Sequence, residues 1–157
     1  MLSLFLALFL AAPFPSASKT AWMRPESFHL LIGMSRADTM KKLAEAGWKT
    51  KPLKNPSHLV IEYTNADSIT LEFHKERLQA VRFEHFAFLQ DARSAFAEEV
   101  GYLHDTFGAP KSMKIKSVVL YDHILPNVMV VLSDDPKSEN GQKGLGLLVV
   151  RYYDPLS

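Results

Sequence analysis

The chain has 157 residues, 47% of them hydrophobic, and a formal net charge of +1. That length suits one domain or two very small ones with enough apolar sequence for a core, and the near balance of charge gives no basis for a nucleic-acid or polybasic membrane binder. No cysteine is present, so disulfides, thiolate nucleophiles, acylated lipoprotein anchors and cysteine-ligated metals are excluded.

The first eighteen residues stand apart. Leu2 to Ala12 is almost unbroken apolar sequence, too short for a bilayer span of about 20 residues but fitting the apolar region of a secretory signal. Ser16 and Ser18 are small enough for the −3 and −1 positions of a cleavage site, which puts the cut before Lys19. Residues 1–18 are therefore read as a signal peptide, with no integral membrane segment left after its removal and an extracytoplasmic destination, periplasmic or secreted. Lys19 to Ser27 follows as an extended lead-in, and Phe28 to Ile32 suits either a short edge strand or the first turn of a helix.

Ser35 can cap a helix with its hydroxyl, and Asp38 places a carboxylate in the first turn near the positive helix end. Ala37, Met40, Leu43 and Ala44 recur at helical spacing, and Gly47 can end the helix in the left-handed conformation. Trp48 then folds back as a core anchor. Pro52 and Pro56 exclude a regular helix between them.

Beyond Pro56 the period changes to two. Leu59, Ile61 and Tyr63 alternate with polar neighbours, as do Ile69, Leu71 and Phe73. A link at Asn65-Ala66-Asp67 pairs Glu62 with Thr70 and His58 with His74 on one face, and Ile61 with Leu71 on the other. A second turn at Lys75-Glu76-Arg77 pairs Leu71 with Val81, Ile69 with Phe83 and Thr70 with Arg82. The expected product is an antiparallel meander with one apolar and one polar face, the helix covering the apolar one. Glu84 to Gln90 then links to the second half, with Phe86 and Phe88 sealing the joint.

In that half, Asp91 is the expected cap of a helix whose face is marked by Ala92, Phe96, Val100, Leu103 and Phe107, with Gly108 and Pro110 at its end. Strands follow at Ser117–Tyr121, Val128–Ser133 and Leu145–Tyr153, and Asp134 to Gly144 is expected to be the most mobile loop. Both halves thus run helix, strand, strand, strand. The fold class is α+β, an antiparallel sheet with helices packed on one face, built either as two tandem units at 19–88 and 89–157 or as one continuous domain.

The run Ile32-Gly33-Met34-Ser35 into a short helix, then Leu59-Val60-Ile61-Glu62-Tyr63, Leu71-Glu72-Phe73 and Leu78 to Val81, resembles the small outer-membrane assembly domains of the SmpA/OmlA (BamE-like) type and, more distantly, the β-lactamase inhibitory protein fold. The resemblance implies an extracytoplasmic protein-binding module. It carries over no binding residue, because the matched positions are structural.

Several side chains could carry chemistry. His58 and His74, facing each other in the register above, could share a metal with Glu72 or Glu76; two exposed histidines at a hairpin end is the plainer reading, and no metal or cofactor is assigned. His104-Asp105 and Asp122-His123 are acid–imidazole neighbours near Ser112 and Ser117, without a G-x-S-x-G elbow. Glu98 and Glu99 diverge on a helix, which makes a shared acid–base task implausible. The polar sheet face carries Glu62, Thr70, Glu72, Arg82 and Glu84, with Arg82 expected near Glu62 and Glu72. With His58, His74, Tyr121, Tyr152 and Tyr153, these form the candidate binding surface, the tyrosines being the aromatic anchors. The sequence is therefore read as a non-catalytic binding module with a protein partner. The alternative is an extracytoplasmic hydrolase built around His104, Asp122 and His123.

Overall fold

A computed structural model describes residues 18–115, 118–121, 126–134 and 144–155; the expected leader up to Ala17, Asp122, His123 and most of the Asp134–Gly144 loop lie outside them. The first described segment is not extended. It forms turns and a short 3-10 helix, Pro25–Phe28; Phe28 closes that helix and residues 29–32 are turn and irregular chain, so 28–32 is neither an edge strand nor the first turn of a helix. Proline at the start suits such a turn, where its missing N–H would go unbonded anyway.

Helix α1 spans Arg36–Glu45 and begins as its sequence predicts. Ser35 Oγ accepts the Asp38 N–H at 3.1 Å and donates to Asp38 Oδ2 at 2.6 Å. Gly47 sits at φ 81° just beyond its end. The buried face is Thr39 and Leu43, with Met40 partly covered, so the apolar stripe lies slightly round from the expected one, and Ala37 and Ala44 are exposed.

Four strands follow: β1 (Thr50–Pro52), β2 (His58–Glu62), β3 (Asp67–His74) and β4 (Arg77–Phe88). Helix α2 (Leu89–Phe107) leads into β5 (Ser112–Ile115), β6 (Val118–Tyr121), β7 (Asn127–Asp134) and β8 (Leu145–Tyr153). All eight strands join one antiparallel sheet in the order β1-β2-β3-β4-β8-β7-β6-β5. The two halves meet at β4 and β8, which pair from Ala80–Tyr153 to Phe88–Leu145.

The first hairpin differs from the expected register. His58 stands opposite Glu72, Ile61 opposite Ile69 and Glu62 opposite Ser68, two residues from the sequence-based pairing. The turn closes one residue early because Asp67 belongs to the strand: its carbonyl accepts the Tyr63 N–H, and its carboxylate accepts the Thr64 hydroxyl at 2.8 Å. A slip of two keeps every side chain on its own face, so burial cannot distinguish the two pairings. The second hairpin has the expected pairs, Leu71–Val81, Ile69–Phe83 and Thr70–Arg82. Its turn is tighter than expected, only Lys75 and Glu76 (φ 47° and 59°), and a bulge between Glu72 and Phe73 restores the count.

One face of the sheet holds the core. Ile61, Ile69, Leu71, Phe83, Leu148 and Val150 are fully buried, together with Leu43 of α1, Leu103 of α2 and Met23, Phe28 and Leu30 from the N-terminal segment. Full burial of each such side chain contributes about 1.5–3 kcal/mol. Phe28, Trp48 and Tyr63 pack ring to ring, and Trp22 stacks on Tyr63 at 4.9 Å. Helix α2 starts directly after β4, with no side-chain cap; Asp91 stands in its first turn rather than at the cap. Ala92, Ala95, Glu99 and Leu103 form its buried face.

Candidate functional site

Among the described residues, no helix lies on the opposite face of the sheet. Beyond the bulge, alternation sends the even-numbered residues of β4 onto it, so Arg82, Glu84, Phe86 and Phe88 project from one strand, whereas Leu78, on the other side of the bulge, lies in the core. Phe86 and Phe88 do not seal the joint between the halves. They are 49% and 71% exposed, among the few large apolar side chains left in solvent. The cause is that β4 runs on to Phe88 without a break, so the alternation established by Val81 and Phe83 inside continues outward at Phe86 and Phe88.

The register places more apolar groups beside them. Leu147 stands opposite Phe86, Leu145 opposite Phe88, and Val149 opposite both Glu84 and Val131. Met129 and Arg151 pair on the next rung. A shallow depression of about 430 Å³ beside them is lined by Met129, Val131, Leu147, Val149, Arg82 and Arg151. With strands about 4.8 Å apart, eight of them give a face about 34 Å wide.

Ion pairs edge the apolar strip. Arg151 grips Glu72 through two bonds, Nη2–Oε2 at 2.6 Å and Nε–Oε1 at 3.2 Å. Arg82 binds Glu84 at 2.6 Å and Lys51 binds Glu62 at 2.7 Å. Arg82 therefore does not pair with Glu62 or Glu72 as expected: Arg151, directly opposite it across β4–β8, takes Glu72 instead. Two like charges directly opposite are unfavourable alone, and the separate glutamates neutralise them. The Arg151 guanidinium also lies 5.2 Å from the Tyr153 ring.

Thus Glu62, Thr70, Glu72, Arg82 and Tyr153 share the helix-free face. Tyr152 does not. It is buried on the core side, edge-on to Phe83 at 6.1 Å, because it follows Arg151 on an alternating strand. The Tyr121 side chain lies outside the described residues. His58 faces Glu72 and His74 faces Arg77, so the two histidines are not paired, and no cluster of three metal-ligating side chains occurs among the described residues. His104 is exposed on α2, 4.0 Å from an exposed Asp105, and its supposed partners Asp122 and His123 lie outside the described residues.

Two polar clusters go beyond what the sequence pattern indicates. His85 Nδ1 contacts Asp67 Oδ1 at 2.6 Å, with Thr64 on the other carboxylate oxygen and Trp22 edge-on to the imidazole. The register of the second hairpin, continued two rungs beyond Ile69–Phe83, brings this pair together. The other cluster lies between α2 and the N-terminal segment. Glu99 is completely buried, 3.7 Å from Arg24 and within 3.4 Å of the Tyr152 hydroxyl. Burial pushes its carboxyl above the usual carboxylate range, against the opposing pull of Thr20, Arg24 and Tyr152. Burial likewise raises the Tyr152 phenol, with Glu99 adding to the shift. The Arg24 guanidinium stacks 3.3 Å above the Tyr102 ring. Glu98 faces the same segment, and the Ser18 hydroxyl holds its carboxyl below the usual range against partial burial.

No protein-family model matches the chain, and no curated protein or solved structure is significantly similar to it.

Proposed function

We propose that the chain is an exported, non-catalytic binding module that docks a protein on the helix-free face of its sheet. The observation that carries this reading is the apolar strip of Phe86, Phe88, Leu145, Leu147, Val131 and Met129 on a sheet face that no helix among the described residues covers. Contiguous apolar surface of this kind, rimmed by polar residues, marks association sites. A standard interface takes about 800 Å² from each partner, and a face about 34 Å wide accommodates that area. The rim charges are already paired within the chain, so the strip selects a partner through apolar and aromatic side chains rather than through net charge. Phe86 and Phe88 are the energetic anchors in this reading, in the place the sequence assigned to tyrosines. The apolar leader and the likeness to outer-membrane assembly domains, resting on the Gly33–Ser35 opening and the strands after it, favour an extracytoplasmic site of action.

The test compares capture from cell-envelope extract by the wild-type chain and by the double variant Phe86→Asp, Phe88→Asp. A discrete protein retained by the wild type and absent with the variant supports the reading. Equal capture by both overturns it.

A further inference from the structure

The segment just beyond the expected leader is anchored to α2 through one carboxylate. Glu98 Oε1 accepts from the Ser18 hydroxyl, from the Thr20 hydroxyl at 3.3 Å and from the Thr20 N–H at 3.4 Å. Lys19 lies between these two residues in the chain. Donors from Ser18 and Thr20, the residues on either side of Lys19, thus converge on an acid some eighty positions away, next to the bond where the leader is expected to end.

We infer that Glu98 is the docking site for the chain's own α-ammonium group, released when the Ser18–Lys19 bond is cut. The inference rests on the export reading. In the cut, a signal-type peptidase adds one water across the peptide bond. The Ser18 carbonyl carbon takes the water oxygen and departs with the leader as a carboxylate. The Lys19 nitrogen keeps its own hydrogen, gains two protons, one net from the water and one from the nascent acid, and becomes an ammonium.

The Lys19 nitrogen, set between the two residues that bond Glu98, then carries a positive charge and three N–H donors. Charge-assisted bonds of this kind are roughly twice as strong as neutral ones. They take the place of the Ser18 hydroxyl, which departs with the leader.

The surroundings favour a cation. From α2 come Glu98 and the buried Glu99, whose Oε2 lacks a hydrogen-bond partner. Tyr102 faces the site from the same helix and Tyr152 from β8. Arg24, from the N-terminal segment, is the positive group, held against Glu99 and Tyr102, and Glu26 of the 3-10 helix adds a further acid whose field reaches Tyr152. Removal of the leader would in this way lock the N-terminal segment over α2, so that processing completes the fold instead of merely shortening the chain.

The experiment uses the natively exported protein, its Glu98→Gln variant, and a chain that keeps Ser18 as its first residue. Intact mass gives the start point, and NMR titration of the α-amine gives its pKa. The expected result is a start at Lys19 and an α-amine raised by at least about half a unit above its usual 7.7–8.0. That shift should vanish in Glu98→Gln and shrink when Ser18 is retained, so the Ser18 chain supplies the comparison even if the substitution fails to fold. A chain starting at Lys19 with an ordinary α-amine overturns the docking and leaves export intact. A native chain with its leader still attached overturns both.

Discussion

At Gly146 helix α2 packs tightly on the sheet, and replacing it with alanine tests that approach directly. A Cβ built at Gly146 would lie 2.8 Å from the Ala92 Cβ and 3.2 Å from Leu89 Cδ1. Carbon atoms settle at about 3.5–4.0 Å, so the overlap is about 0.7 Å or more. Ala92 has no rotamer with which to move aside, and the strain must pass into the backbone of α2 or β8. Overpacking of this kind costs about 1–3 kcal/mol. Against it stands a gain of about 0.4–1 kcal/mol from restricting the unfolded chain. The clash wins by about 1–2 kcal/mol, which for a chain this long lowers the thermal midpoint by about 2–8 °C. Thermal unfolding followed by circular dichroism reads the drop. Adding Ala92→Gly removes the offending methyl, so the double variant should recover at least about 1 kcal/mol relative to the sum of the single changes. A Gly146→Ala protein as stable as the wild type, or a strictly additive double variant, refutes the close seat of α2 on β8.

The tight turn gives a second expectation. Lys75 and Glu76 both hold positive φ, a conformation that costs an L-residue about 1–2 kcal/mol. Changing them to Asn and Gly should raise the urea midpoint, since the Arg36–Glu76 pair that the change removes is exposed and worth little; a lowered midpoint would contradict the turn geometry. Glu99 sets a pH dependence. Its folded pKa is raised above the ordinary 4.5, so the native state holds the proton more tightly, and this group's contribution falls as pH rises from 4.5 through the folded value. Glu99→Gln should therefore gain on the wild type between pH 4 and pH 7 in paired urea titrations, and parallel profiles would show that the carboxyl is not strained. Phe88→Ala should change stability by less than about 0.5 kcal/mol, because the residue is 71% exposed, and Phe86→Ala, about half covered, by about 1 kcal/mol; a decrease of about 3 kcal/mol or more by calorimetry would mean that they belong to the core.

Local features are the most legible in the sequence. The Ser35 cap, the Gly47 and Gly108 helix ends and the alternation of β2, β3, β4, β7 and β8 all follow from neighbouring residues. Strands β1 and β5 have three and four residues, too few for a period to show. The first hairpin is instructive for a different reason. Alternation has a period of two, so it forbids the one-residue slip and is blind to the two-residue slip that separates His58 from His74. The same period, followed past Glu84, places Phe86 and Phe88 in the open; ending the strand at the boundary between the halves hides this. Glu99 illustrates the opposite limit: it lies on the buried side of α2 because Arg24, Thr20 and Tyr152 meet it there, and no local pattern in α2 announces partners from two distant segments.

Photo-crosslinking in intact cells tests most directly whether a partner sits on the helix-free sheet face. A benzophenone side chain is placed at Phe86, Phe88 or Leu147 and, as a control, at Lys41 on the exposed side of α1. A partner docked on the sheet predicts the same discrete protein adduct from the three sheet positions and none from Lys41. Adducts confined to Lys41, or no adduct from any sheet position, would contradict it.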